Sequence, residues 1–141
     1  MKNAKWMLSV TLLLLSGLMA AQSITSSTVV ANVPFDFMVN NKNISAGDLA
    51  VRATNNDGSV LAVRNFDARE SALTTASHVE TREPADSTVL LFKHYGSQYF
   101  LSGVQIKGAN VMYTLPESRA EAELRAQNAH ASDTTLLASI K

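Results

Sequence analysis

The densest run of side chains able to recognise another molecule is Lys93-His94-Tyr95-Gly96-Ser97-Gln98-Tyr99-Phe100. Tyr95 and Tyr99 bring flat apolar rings tipped with a hydroxyl. Lys93, His94 and Gln98 set a cation, an imidazole and an amide beside them. Such a mixture stacks on a sugar ring or grips a peptide. The plainer role for the same residues is a stable hairpin braced by cross-strand aromatic pairs. Lys93, His94, Tyr95, Gln98 and Tyr99 are therefore the candidate ligand-binding residues. The run differs from an RNA-recognition strand, because it lacks the aromatic–Gly–aromatic core of that motif.

Other chemistry is less well supported. Asp36, Asp48, Asp67 and Glu70 are candidate carboxylates, but each falls on the wet side of a strand or in a turn, where solvated acids normally sit. There is no nucleophile elbow, no phosphate-cradling glycine loop and no triad order. A metal would need His78, Glu80, His94 and His130 to converge, with no cysteine in the chain and no His-Glu-x-x-His helix to help. The expectation is no catalytic residue, no metal and no cofactor.

These residues belong to a chain of 141. Its start reads as a secretory leader over residues 1–21: a basic Met1-Lys2-Asn3-Ala4-Lys5, an apolar stretch around Leu12 to Leu15, then small residues at Ala20 and Ala21. Its apolar core is shorter than a spanning helix needs. Lys2 and Lys5 leave with it, and the balance of 12 basic and 12 acidic residues tips slightly acidic. A weakly acidic domain without a basic stripe has no electrostatic footprint for nucleic acid. An exported chain without cysteine forgoes disulfides, so burial and sheet pairing must hold it together. The expectation is a secreted or periplasmic protein with no membrane span after leader removal.

The elements that position the candidate residues are strands. Residues 22–28 are Ser/Thr-rich and read as a flexible arm. From Val29 to Asn40 the odd positions Val29, Ala31, Val33, Phe35, Phe37 and Val39 are all apolar, which gives a strand one greasy face. Pro34 on its wet face suits an edge strand or a bulge, and such an edge permits homodimerisation by strand addition. Turns follow at residues 40–43 and 46–48, then a returning strand buries Leu49, Val51 and Ala53. Asn55-Asn56-Asp57-Gly58 is the clearest hairpin signal. Residues 71–79 read as a weaker strand and residues 80–87 as an exposed loop.

Residues 88–106 form a second hairpin about Gly96-Ser97, with Tyr95 opposite Gln98, Phe92 opposite Leu101 and Leu90 opposite Gly103. On that register Leu91, Val89, Phe100, Ser102 and Val104 share the other face. A short strand at 111–115 precedes a helix over 116–128 opened by Pro116. Arg119, Glu121, Glu123 and Arg125 form its solvated face, with Glu121 paired to Arg125, while Ala120 and Leu124 make a thin apolar seam. Residues 129–141 are a tail whose Leu136, Leu137 and Ile140 dock back or form a short turn. About seven short strands at near-regular spacing, spanning residues 29–115, predict one all-β domain, an antiparallel sandwich or small barrel with a C-terminal helix.

Four segments resemble a family of short, exported, uncharacterised bacterial proteins. Val33-Pro34-Phe35-Asp36-Phe37-Met38-Val39 matches a VPFxFxV segment, and Ala46-Gly47-Asp48-Leu49-Ala50-Val51 follows an LPAGxYxV-like one. Phe92 to Leu101 matches F-x-x-Y-G-x-x-Y-F-L, and Leu115-Pro116-Glu117-Ser118-Arg119-Ala120-Glu121 matches a helix start. The chain departs at Ile44-Ser45, where Leu-Pro is usual, and at Leu49, where Tyr is usual. The resemblance implies export and a β-fold and supplies no catalytic residue.

The expected function is a non-catalytic binding or interaction role toward a protein or envelope component. A small-ligand carrier with a barrel cavity lined by Phe35, Phe37, Phe92 and Leu101 comes second, and a small hydrolase third.

Overall fold

Pro34 stands where the opening strand leaves one sheet for another. In the computed structural model, which describes residues 27–127 and 130–141, the strands are β1 Thr28–Val33, β2 Phe37–Val39, β3 Lys42–Ile44, β4 Gly47–Ala53, β5 Val60–Asn65 and β6 Glu70–Thr75. They continue as β7 Ser77–Glu80, β8 Val89–Tyr95, β9 Gln98–Gln105, β10 Val111–Thr114, β11 Ser132–Leu137 and β12 Ser139–Ile140, with one helix, α1, at Arg119–Ala126. The expected leader and residues 22–26 of the arm lie outside the described residues.

Two sheets form a sandwich. One runs β12-β1-β4-β5-β6 and the other β11-β8-β9-β10-β7, with β2 and β3 added beside β9. All pairings are antiparallel except β2 with β9. The sheets do not close into a barrel, so the sandwich is the architecture of the two that were expected.

The strand count exceeds about seven because residues 42–44, expected largely as a turn, pair as β3, and three stretches of chain, the tail among them, each serve both sheets. At the first crossing β1 pairs with β4, Val29 opposite Val51, and β2 pairs with β9, Phe37 opposite Tyr99. The period-two rhythm survives the bend: Val33, Phe37 and Val39 are all buried. Proline suits such a corner, since it gives up a ladder donor that the bend would leave unused. The expected strand at 71–79 likewise divides into β6 and β7 at Ala76, whose N–H donates to the Ser59 carbonyl at 2.8 Å. The tail is the third case, and of its two expected arrangements it docks back. Residues 132–137 pair with β8 along six positions, Ala138 turns the corner, and β12 returns to β1. The segment docks back as strands, with Leu136 and Ala138 packed against the core and Leu137 and Ile140 left exposed, so it belongs to the domain. β12 covers Val29 and Val30, which confines the open edge of β1 near Pro34 to its second half.

The core lies between the sheets. Phe37, Phe92, Leu49, Leu61, Leu90 and Ile106 are among its fully buried side chains, each contributing about 2 kcal/mol of transfer free energy. Phe92 meets Phe35 and Phe37 edge-on, with ring centroids 5.1 and 5.2 Å apart. Asn65 is buried among them as a polar tie. Its amide donates to the carbonyls of Ser45 and Ala46, and its oxygen accepts from the Ala68 N–H at 3.0 Å. Glu70 adds bonds from the Ser45 N–H and hydroxyl. At the Asn55–Gly58 turn, Asp57 accepts from the N–H and hydroxyl of Ser59, which holds its carboxyl below the ordinary 3.8.

The second hairpin keeps its expected turn and half its expected register. Tyr95 lies opposite Gln98 and Phe92 opposite Leu101, but Leu91 now faces Gly103 and Leu90 faces Val104. Ser102 is the extra residue of a bulge, and its hydroxyl donates to the Leu91 carbonyl at 3.0 Å. The slip carries Val104 into the core and places Gly103 against β10. A Cβ on Gly103 would stand 3.0 Å from the Tyr113 carbonyl oxygen. The helix is shorter than 116–128. Its cap is Ser118, two residues beyond Pro116.

Candidate functional site

The β8–β9 hairpin alternates its side chains between two faces, and the candidate residues divide with it. His94 and Tyr99 lie opposite each other on the core side, rings stacked with centroids 4.9 Å apart. Phe35, delivered by the first crossing, stacks on Tyr99 at 3.8 Å. All three are half-buried. Tyr99 is thus an internal rung of a row that runs from the core to the outer end of the hairpin. Lys93, Tyr95 and Gln98 point the other way. The five residues do not form one patch.

The outer side of the hairpin is where α1 docks. Tyr95 is buried there, edge-on to Phe100 at 5.8 Å. Its hydroxyl donates to Glu121 Oε1 at 3.2 Å. Burial, and then the negative charge of Glu121, push the Tyr95 phenol above its ordinary 10.0. Glu121 is only 6% exposed, which corrects the expectation that it lies on the solvated helix face. Its own N–H bonds the Ser118 hydroxyl at 3.2 Å. Arg125 consequently pairs with Glu117 at 3.1 Å rather than with Glu121, and Arg119 pairs with Glu123. The sequence signal was available: Ser118-x-x-Glu121 is a capping-box spacing. Helical geometry alone, however, does not say that the box sits over a buried tyrosine.

Beside this latch lies a groove of about 460 Å³, within the usual range for ligand clefts. Leu91, Met112 and Ser102 line it from the sheet, Glu117 and Glu121 from the helix side, and Asp133, Thr134 and Thr135 from β11. Lys93 opens into it and stands opposite Asp133 in the register. One cation, several carboxylates and several hydroxyls thus border an apolar base. Such a lining supplies hydrogen-bond donors and acceptors beside apolar surface. Lys93 is the candidate residue that this groove retains. Gln98 is exposed at the turn. Ser102, Thr114, Glu117 and Asp133 were not singled out, because their convergence depends on the bulge and on the returning tail.

The other candidates are dispersed. His78 stacks edge-on against Tyr113 on the β7–β10 ladder, and His130 is exposed beyond the helix. No group of three or more potential metal ligands occurs among the described residues. Asp36 accepts from the Ala46 N–H, Asp48 from Asn32, and Asp67 from the Asp48 N–H. With Glu70, these carboxylates hold turns and strand ends. No helix among the described residues is long and apolar enough to cross a membrane. Comparisons of the chain with protein-family models, curated protein sequences and solved structures each found no match.

Proposed function

We propose that the chain is an exported, non-catalytic β-sandwich that binds a polar envelope component or partner in the groove between α1 and β11. The observation that carries this reading is the groove itself: a ligand-sized recess with an apolar base, a mixed polar rim and Lys93 at its mouth. The four carboxylates singled out in the sequence, Asp36, Asp48, Asp67 and Glu70, are engaged in hydrogen bonds at turns and strand ends. Export rests on the leader-like start of the sequence and on the resemblance to exported proteins. A barrel-cavity carrier is the less supported reading, because the sheets form a sandwich whose core holds Phe37, Phe92 and Leu101, with Phe35 packed against it.

Calorimetry of the purified protein against soluble cell-wall oligosaccharides and short peptides tests the proposal. Thr135 is exposed on the rim, so Thr135→Trp should close the groove, abolish binding and leave the melting temperature unchanged. Turnover of an unbiased panel of hydrolase substrates, or undiminished binding by Thr135→Trp, would overturn it.

A further inference from the structure

The outer face of the five-stranded sheet holds a second recess, of about 570 Å³, remote in the register from the helix groove. Its base is made by Ala50 and Ala62. Ala50 points outward between the inward Leu49 and Val51, yet is only 6% exposed, so it is a floor and not a crest. Phe66 and Leu73 border the recess at 63% and 60% exposure, the opposite of what apolar side chains of that size normally do. Arg52 lies opposite Ala62 and Arg64 opposite Ala50, which makes the two arginines diagonal neighbours across β4 and β5. Neither has an ion pair or side-chain hydrogen bond among the described residues. The two arginines lie diagonally over small residues and leave their donors to solvent, while the acid on the same face, Asp48, two residues from Ala50 along β4, accepts from Asn32.

We propose that this recess binds a small amphiphile: a carboxylate on an unbranched apolar chain. The carboxylate would sit between Arg52 and Arg64, whose planar donor forks match its two oxygens. The chain would lie over Ala50 and Ala62 between Phe66 and Leu73. An extended peptide is the weaker occupant, because β4 and β5 are interior strands with both edges already paired and offer no backbone ladder.

The test is calorimetry and amide-shift mapping of the purified protein with decanoate below its micellar concentration, with decanol and a decyl ammonium salt as the other arms. Decanoate should bind one to one and shift the amides of β4 and β5. Arg52→Gln and Arg64→Gln should each weaken it about tenfold or more. Ala62→Leu should fill the floor and abolish binding. Both arginines are exposed, so the glutamine variants should melt like the parent. Thr135→Trp should have no effect, which separates this site from the helix groove. Equal binding of decanol, retained affinity in the double glutamine variant, or shifts confined to other strands would overturn the proposal.

Discussion

At the residue scale, the tightest chemical statement concerns Tyr95 and Glu121. A phenol and a carboxylate are buried together, each the other's hydrogen-bond partner. Tyr95→Phe removes the donor and strands Glu121, so it should cost about 1–3 kcal/mol in urea unfolding. The pH dependence follows from the raised phenol. A group whose value is higher in the folded state contributes its stability in full below the ordinary value of 10.0 and loses it as pH rises through the folded-state value. Tyrosinate absorbance should therefore show a late component from Tyr95, with helix signal declining in step. Tyr95→Phe should remove that late component. A Tyr95→Phe variant whose alkaline absorbance change matches the parent's would contradict this.

At the element scale, the bulge and the tail decide where the groove is. Gly103→Ala pushes a methyl toward the Tyr113 carbonyl and should destabilise by about 1–3 kcal/mol, read from the same unfolding curves. Ending the chain at Gln127 removes β11 and β12, unpairing the edge of β8 and the start of β1. Such a truncation should aggregate or lose its β circular dichroism, whereas a dispensable tail would leave both unchanged. Alternation made the strands legible in sequence, since Val29 to Val33, Phe37 to Val39 and Leu49 to Ala53 keep their period, but it did not show that the first of these runs changes sheets at Pro34. The bulge was not legible, since Ser102 looks like any other strand residue until Leu91 offers its carbonyl. Nor was the role of Glu121, because an acid in a helix carries no mark of what it faces. Thr134 to Ile140 carried apolar residues, but a polar stretch before them hid their periodicity.

At the scale of the whole molecule, three stretches of chain change sheets at Pro34, Ala76 and Ala138. Each ties one sheet to the other through continuous chain, and Asn65 and Glu70 pin the β3–β4 connection at Ser45 and Ala46. Asn65→Leu should therefore cost about 2–4 kcal/mol, since it leaves several backbone groups unpaired in a packed corner. The same crossings bring β11 beside β8 and so build the groove from parts distant in sequence. This explains why Lys93 could be picked out in the sequence while its companions across the groove could not. Amide-resolved titration of the protein with the tightest-binding soluble glycan or peptide tests the central claim most directly. The account predicts shifts concentrated at Leu91, Lys93, Ser102, Thr114 and Thr135. Shifts centred on His94 and Tyr99 at the other face of the hairpin would contradict it.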